Sequence, residues 1–289
     1  MSENLKEYTK KLEEAASYLK EEVSMRSPLA IVLGSGLGDF MKNVHITKQV
    51  EYSDIPHFPR STVPGHSGNL VFGKMKEYPL IVFSGRKHLY EGVNPWDVVF
   101  SVRVMRLLGV KVLILTNAAG SLKSRLVPGD LMVITDQINL SFRNPLVGPH
   151  KKQWGPRFCD MSAPFDPALI NLACEVAAEQ KIQLKQGIYT AGLGPSYETR
   201  AEVSFLQFIG TDVIGMSTVP ENIVANQAGI RTLAFSYISN SHVMSRGETS
   251  HKEVLENAAL VQDKFANLMN ALIPRLFERI GKEGNQCEP

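Results

Sequence analysis

The stretch LAIVLGSGLG occupies residues 29–38 and changes character half-way along. Its first half is a continuous apolar run, which is typical of a strand buried on both faces of a sheet. Its second half places three glycines around Ser35, and a strand-to-helix turn of this kind presents backbone N–H groups and a hydroxyl. The stretch therefore predicts either a site for a single anion such as phosphate or simply a tight turn that glycine permits.

The spacing of these glycines excludes two common nucleotide sites. A dinucleotide fingerprint needs glycine at the first, third and sixth positions of the turn, but counting from Gly34 puts Asp39 in the sixth place. The phosphate loop of nucleoside triphosphatases ends in Gly-Lys-Ser/Thr, whereas the Gly-Lys pairs of this chain continue with Met75 and Glu283. The sequence therefore predicts neither a dinucleotide-binding fingerprint nor the phosphate loop of nucleoside triphosphatases.

Similar apolar runs recur along the chain and alternate with helical patterns. We predict further strands at NLVFG, LIVFSG, KVLILTN, DLMVITD, DVIGM and RTLAFSYIS. Helical patterns cover residues 1–23, 95–109, 167–180, 199–208, 219–228 and 252–280. The alternation predicts an α/β fold in which helices flank a mostly parallel, mixed sheet, and we expect one domain over residues 1–289.

The segment from Asn139 to Asp166 interrupts this alternation. It is rich in proline and glycine and shows neither a helical nor a strand period. Structureless segments of this length inside compact domains are usually functional. We therefore interpret it as an excursion of the same domain and not as a domain boundary.

Composition argues against several classes of protein. The net charge is only +2, which is too small to hold a polyanion, so we expect no nucleic-acid partner. No apolar run approaches the ~18 residues of a membrane span, so we expect no membrane association. The three cysteines are odd in number and widely spaced, which predicts free thiols and a cytoplasmic location. The seven histidines show no metal-ligand spacing, so we expect no metal.

Polar and basic groups follow several of the predicted strands. His66 lies in one of these loops, Arg86 and His88 lie in the next, and Asn117 follows a third strand. Ligands of open α/β sheets bind beyond the carboxyl ends of the strands, so we predict that these loops converge. A guanidinium fork and two imidazoles suit a phosphate group. Taken singly, Arg86 could instead be a solvated charge and His66 a turn residue.

A second group of residues suits a purine base. Tyr197 and Glu198 stand just before a predicted helix, and Asn240 ends a predicted strand. An aromatic face, a carboxylate and a carboxamide can stack on a purine, accept from a ring N–H and pair with its edge. The structural alternative for Glu198 is a carboxylate that interacts with the helix macrodipole.

Eight motifs follow one another along nearly the whole chain: GSGLG, PGHSGNLVFG, GRKHLYEG, TNAAGSL, GDLMVITDQINL, AGLGPSYET, GMSTVPE and SN. In this order they resemble the homotrimeric purine nucleoside phosphorylases. The resemblance implies a phosphorylase/hydrolase-like three-layer α/β/α fold with a distorted mixed sheet. It also implies phosphorolysis of 6-oxopurine (deoxy)ribonucleosides such as inosine and guanosine, with inorganic phosphate as co-substrate and no other cofactor.

The resemblance also implies a role for individual residues. A phosphate site would comprise Ser35, His66, Arg86, His88, the backbone at Ala118 and Ser217. A sugar site would comprise Tyr90, Met216 and His251, with Phe158 contributed by the neighbouring subunit of a homotrimer. A base site would comprise Tyr197, Glu198 and Asn240, lined by Ala119, Gly120, Ile214 and Gly215. The residues implied in catalysis are Asn240, Glu198, His88 and His251.

The chain departs from the family pattern at Tyr197, at Ser241 and along the segment SHVMSRGETS that begins at Ser241, and two alternatives stay open. Tyr197 stands where many members have phenylalanine, and Ser241 stands where several have lysine. A 5′-methylthioadenosine phosphorylase would favour aspartate in place of Asn240 and an apolar side chain in place of His251. A non-catalytic protein that binds a purine or phosphate could keep the same pocket, because a pocket alone does not establish turnover.

Overall fold

The computed structural model describes residues 2–60, 68–243 and 257–284. The strands of this part of the chain are β1 (Leu29–Leu33), β2 (His45–Glu51), β3 (Asn69–Met75), β4 (Tyr78–Ser84), β5 (Val112–Ser121), β6 (Leu131–Asn139), β7 (Leu184–Ala191), β8 (Val213–Gly215) and β9 (Arg231–Ser241). Its principal helices are α1 (Ser2–Glu22), α2 (Pro95–Val98), α3 (Phe100–Leu107), α4 (Pro167–Glu179), α5 (Arg200–Phe208), α6 (Val219–Gln227) and α7 (Gln262–Gly284). No helix among the described residues is long and apolar enough to span a membrane.

The strands form one mixed sheet in the order β2-β3-β4-β1-β5-β8-β7-β6-β9. β1 pairs in parallel with β4 and β5, and β5 also pairs in parallel with β9. Because β9 pairs with β6 as well, strands β5, β8, β7, β6 and β9 close into a ring. The carboxyl ends of β1, β4, β5 and β9 consequently lie at the same edge of the sheet, where the polar loops begin.

The centre of the sheet is fully buried. Val112, Leu115, Leu233 and Phe235 on β5 and β9 have no solvent-exposed surface, and strands covered on both faces read as continuous apolar runs. Helix α4, which packs on α7, begins at Pro167, and the carboxylate of the preceding Asp166 accepts from the first backbone N–H groups of the helix. This apolar centre holds the strand ends, and hence the pocket described below, in a fixed arrangement.

The strand predictions were correct for seven segments and missed two. β2 was missed because six of its seven residues are exposed, so an edge strand of this kind has no apolar run. β7 was missed because it opens with Leu184, Lys185 and Gln186, of which none is buried, and then contains Gly187. The predicted helix over 95–109 breaks at Val99 into α2 and α3.

The last predicted helix corresponds to α7, which continues to Gly284, and its predicted first residues, 252–256, lie outside the described part of the chain.

The long segment that precedes α4 contains one short 3-10 helix, Lys152–Trp154, as its only helical turn. Trp154 holds this segment against the core, because the Arg103 guanidinium lies 4.0 Å from its ring centre.

Candidate active site

An open pocket of about 740 Å³ lies at the carboxyl ends of the central strands. The predicted site residues that line it are Ser35, Arg86, His88, Tyr90, Ala118, Ala119, Gly120, Tyr197, Glu198, Ile214, Gly215, Met216, Ser217 and Asn240. The lining residues that sequence analysis did not assign to a site are Gly34, Asn117, Ser239 and His242.

Three predicted site residues are not among the residues that line this pocket. His66 and His251 lie outside the described residues, so their roles stay predictions. Phe158 is 90% exposed and lines a separate hollow together with Arg157 and Met161. Within one chain Phe158 therefore does not contact this pocket, and its role in a neighbouring subunit also stays a prediction.

The glycine turn after β1 has structural reasons of its own and also delivers Ser35 to the pocket. The backbone N–H of Gly34 donates to Thr116 Oγ1 at 2.9 Å, and a Cβ at Gly34 would lie 2.7 Å from the Thr116 carbonyl oxygen. Gly36 has a φ of +78°, a conformation that favours glycine. Glycine at position 34 therefore permits the close approach to β5, and glycine at position 36 permits the positive φ of the turn.

Arg86 is a buried wall of the pocket and not a solvated charge. Its side chain is 3% exposed, and Nη1 donates to Glu221 Oε2 at 2.9 Å. Nη2 donates to the carbonyl oxygen of Thr116. A buried ion pair of this kind is stable only when its remaining polar atoms are also bonded. Helix α6, which carries Glu221, and strand β5 therefore fix the orientation of the guanidinium.

Thr218 joins three elements behind the pocket. It has a φ of +69°, a backbone conformation that threonine rarely adopts and that persists only where neighbours impose it. Its hydroxyl accepts from Asn117 Nδ2 at 2.8 Å, and its N–H donates to Glu221 Oε2 at 3.1 Å. The Asn117 Oδ1 atom accepts from Ser236 on β9 at 2.7 Å. Asn117 thus connects β5 and β9 with the turn that carries Ser217.

His88 and Tyr90 form a stacked pair on one side of the pocket. Their ring centres are 4.8 Å apart and their planes are inclined by 14°. Burial lowers the pKa of His88, so its imidazole is neutral near pH 7 and has one donor and one acceptor nitrogen. Burial also raises the pKa of Tyr90 to about 12, so the phenol keeps its proton. Both groups can therefore donate without carrying charge.

Glu198 is directed to the pocket and does not cap helix α5. The N terminus of the helix is capped by Thr199, whose Oγ1 accepts from the backbone N–H of Glu202 at 3.3 Å, and the Glu202 carboxylate accepts from the Thr199 N–H at 2.7 Å. Burial raises the pKa of the Glu198 carboxyl. Thr199 and Glu202 therefore make the capping contacts of the helix, while Glu198 lines the pocket.

A bulge in the β5–β9 pairing places Asn240 beside Gly120. The register shifts between Ala119 and Gly120, so Gly120 pairs with Asn240. The Asn240 Oδ1 atom accepts from Ser239 Oγ at 2.8 Å, which turns the Nδ2 group away from Ser239. Asn240 is 3% exposed. Its carboxamide is thus held in one orientation at the pocket wall.

His242 is the functional candidate that sequence analysis missed. Its Nε2 atom lies 3.4 Å from Asn240 Nδ2 and 3.4 Å from Glu198 Oε2. The signal that could have identified it is its position two residues after Asn240, in the turn that directly follows β9.

The family of the chain follows from comparison with known proteins. The sequence pattern of the phosphorylase superfamily matches residues 28–274. The chain is 45% identical over 264 residues to purine nucleoside phosphorylase 1 of Bacillus subtilis (strain 168), with 91% of this chain and 97% of that protein covered. This chain belongs to the purine nucleoside phosphorylases. A further member of the family, from Bos taurus, is 42% identical over 274 residues, with 91% of this chain and 94% of that protein covered.

Solved structures of purine nucleoside phosphorylases share the fold. Isoform 2 of the enzyme from Schistosoma mansoni, in complex with cytosine and ribose-1-phosphate, superimposes with a TM-score of 0.87 at 38% identity, covering 92% of this chain and 96% of that one. A schistosome purine nucleoside phosphorylase in complex with hypoxanthine superimposes with a TM-score of 0.84 at 36% identity, covering 91% and 95%. The predicted three-layer α/β fold with a distorted mixed sheet is confirmed.

Nowhere in residues 2–60, 68–243 and 257–284 do three or more His, Cys, Asp or Glu side chains form a group that could hold a metal ion.

Proposed function

We propose that this chain is a purine nucleoside phosphorylase that acts on 6-oxopurine (deoxy)ribonucleosides, inosine and guanosine among them. Inorganic phosphate is the co-substrate, and the products are the free base and (deoxy)ribose 1-phosphate. One observation carries the proposal: Ser35, Arg86, Glu198 and Asn240 come from four separate segments of the chain and line one pocket. The pocket thereby combines groups suited to an oxyanion with groups suited to a purine edge.

The proposed phosphate end consists of Ser35, Arg86, His88 and Ser217 with the backbone at Ala118. Glu221 and the Thr116 carbonyl fix the Arg86 guanidinium, so the donors that face the pocket are already oriented before phosphate binds. The neutral His88 imidazole can add a hydrogen bond without a second fixed charge.

The proposed base end consists of Glu198 and Asn240, with Tyr197 supplying an aromatic face. A 6-oxopurine has a proton on N1, and guanine adds a 2-amino group, so both donate to an ionised carboxylate such as Glu198. Asn240 Nδ2 can donate to N7 or O6, because its Oδ1 atom is already engaged by Ser239. Ala119, Gly120, Ile214 and Gly215 also line the pocket, which supports their proposed place at the base end.

The reaction exchanges one bond for another at the anomeric carbon. The bond from C1′ to N9 breaks and its electron pair leaves with the purine, while a phosphate oxygen forms the new bond to C1′. The sugar passes through an oxocarbenium-like state, which the phosphate dianion stabilises. Negative charge grows on the purine, where the Asn240 N–H group strengthens its hydrogen bond, and a proton from water completes the free base. Tyr90, Met216 and His251 are proposed to hold the sugar.

An assay of base release with and without phosphate tests this function. We expect inosine and guanosine to release base only when phosphate is present. Efficient turnover of 5′-methylthioadenosine with none of inosine would favour the alternative phosphorylase, although Asn240 argues against it. Binding of hypoxanthine without turnover of any nucleoside would favour a non-catalytic binding protein. Either result would contradict the proposal.

We also propose a homotrimer in which Phe158 closes the pocket of the neighbouring subunit. The exposure of this large apolar ring supports the proposal, because such rings are commonly buried in an interface. Mass measurement in solution should give three times the 32.0 kDa of one chain. Phe158→Ala should raise KM for inosine several-fold while kcat changes less, because the ring contributes contact area. A fully active monomer would contradict this arrangement.

A cytoplasmic location is proposed from the cysteines. Cys159 and Cys174 are free thiols, and Cys287 lies outside the described residues. Free thiols persist in reducing compartments, which supports the proposal.

A further inference from the structure

His242 lies in the pocket but belongs to none of the motifs that define the family resemblance. Its side chain is 9% exposed, and its Nε2 atom is equidistant, at 3.4 Å, from Glu198 Oε2 and Asn240 Nδ2. Gly120 provides the space for the ring, because a Cβ at that position would lie 2.6 Å from Nε2. The imidazole is thus packed between the two residues proposed to read the purine edge.

The two contacts of Nε2 require different protonation states. Burial lowers the pKa of His242, so the ring is neutral near pH 7 and only one of its nitrogens carries a proton. If Nε2 accepted from Asn240, its lone pair would also face the Glu198 carboxylate. If Nε2 carries the proton, it donates to that carboxylate, and a hydrogen bond to an ionised acceptor is the stronger of the two. The geometry therefore favours the Nε2–H tautomer, and the Asn240 N–H groups stay directed to the base.

We propose that His242 is a positioning residue for base specificity: it donates Nε2–H to Glu198 and so holds that carboxylate ionised and aimed at the N1–H of a 6-oxopurine. The inference rests on the proposed function. The separation of 3.4 Å is long for such a bond, and hydrogen bonds in active sites commonly shorten when the substrate binds.

The consequence concerns the choice between 6-oxopurines and 6-aminopurines. N1 of a 6-aminopurine is an acceptor, so it pairs with a protonated carboxyl and is repelled by a carboxylate. Burial raises the pKa of Glu198 and the nearby Glu202 carboxylate raises it further, whereas a donated N–H opposes protonation. His242, Glu198 and Glu202 are therefore the ionisable groups on which this discrimination depends.

The test compares His242→Leu with His242→Gln. Leucine fills similar space without a donor, whereas glutamine places an N–H near the position of Nε2. For each variant, kcat/KM is measured with inosine and with adenosine from pH 5 to 9. We expect leucine to reduce the preference for inosine over adenosine about tenfold, because one hydrogen bond to a charged group is lost. When kcat/KM for inosine is plotted against pH, the acidic limb of the curve should move to higher pH in the leucine variant, since Glu198 then protonates more readily.

Glutamine should restore most of the preference for inosine over adenosine and return the acidic side of the inosine kcat/KM profile toward its original pH. A purely space-filling role would not predict this. Val243→Ala is the matched control, because Val243 is adjacent in sequence but does not line the pocket, and it should leave both readouts unchanged. His242→Ser, whose hydroxyl is too short to reach Glu198, replaces the leucine variant if that protein does not fold.

The outcomes separate this inference from the proposed function. An unaltered protein that releases no base from inosine with phosphate would overturn the proposed function itself. The role of His242 alone would be overturned if the unaltered protein is active and its leucine and serine variants keep the preference for inosine over adenosine within twofold. In that case the pH at which kcat/KM for inosine falls on the acidic side would also be unchanged. A glutamine variant that behaves like leucine would also overturn it, because the donated N–H would then be irrelevant.

Discussion

Replacing Asn240 with alanine should lower kcat for inosine phosphorolysis by about 100-fold or more, because a donor that strengthens its bond in the transition state is lost. The side chain is buried at the pocket wall, and Ser239 orients its Nδ2 group toward the pocket. The fold should persist, because the Ser239 hydroxyl keeps a second acceptor in the Ala119 carbonyl at 3.2 Å. Steady-state kinetics with a circular dichroism spectrum of the same sample checks both parts.

Ser239→Ala is the matched control for this experiment. It removes the hydroxyl that orients the carboxamide but leaves the Asn240 donor in place. We expect a loss of kcat clearly smaller than that of Asn240→Ala, because a misoriented donor still binds part of the time. Near-normal inosine turnover by Asn240→Ala would show that this carboxamide does not stabilise the departing purine.

Replacing Arg86 with methionine should both destabilise the protein and abolish phosphate use. The substitution leaves the Glu221 carboxylate buried without its cation, since the two side chains are 3% and 1% exposed. Breaking a buried pair by removing one partner costs about 3–5 kcal/mol. The free energy of unfolding, from urea titration, should fall by that amount, and base release from inosine should no longer respond to added phosphate.

The double variant Arg86→Met, Glu221→Gln separates stability from catalysis. Glutamine removes the charge but keeps an oxygen that can accept from the Thr218 N–H, which now donates to Glu221. We expect the double variant to recover most of the lost unfolding free energy and none of the activity. Recovery of phosphate-dependent turnover would contradict a direct role for Arg86 in binding phosphate.

Much of this site could be predicted from the sequence because its residues stand directly after apolar strands. Ser35 follows β1, Arg86 follows β4 and Asn240 lies near the end of β9. Parallel strands bring such positions to one edge of the sheet, so the convergence of the loops follows from topology. Strand β2 and His242 escaped prediction for one shared reason: neither stands in an apolar pattern that reports burial.

The sequence by itself determined the seven strands that are continuous apolar runs and the polar groups that follow them, because burial on both faces demands such runs. Only the tertiary structure decided the partner of each polar group. Arg86 pairs with Glu221 across 135 positions of the chain, and His242 lies 3.4 Å from Glu198 just after the register shift that pairs Gly120 with Asn240. Such pairings depend on strand order and register, which arise when distant segments pack and which no local pattern encodes.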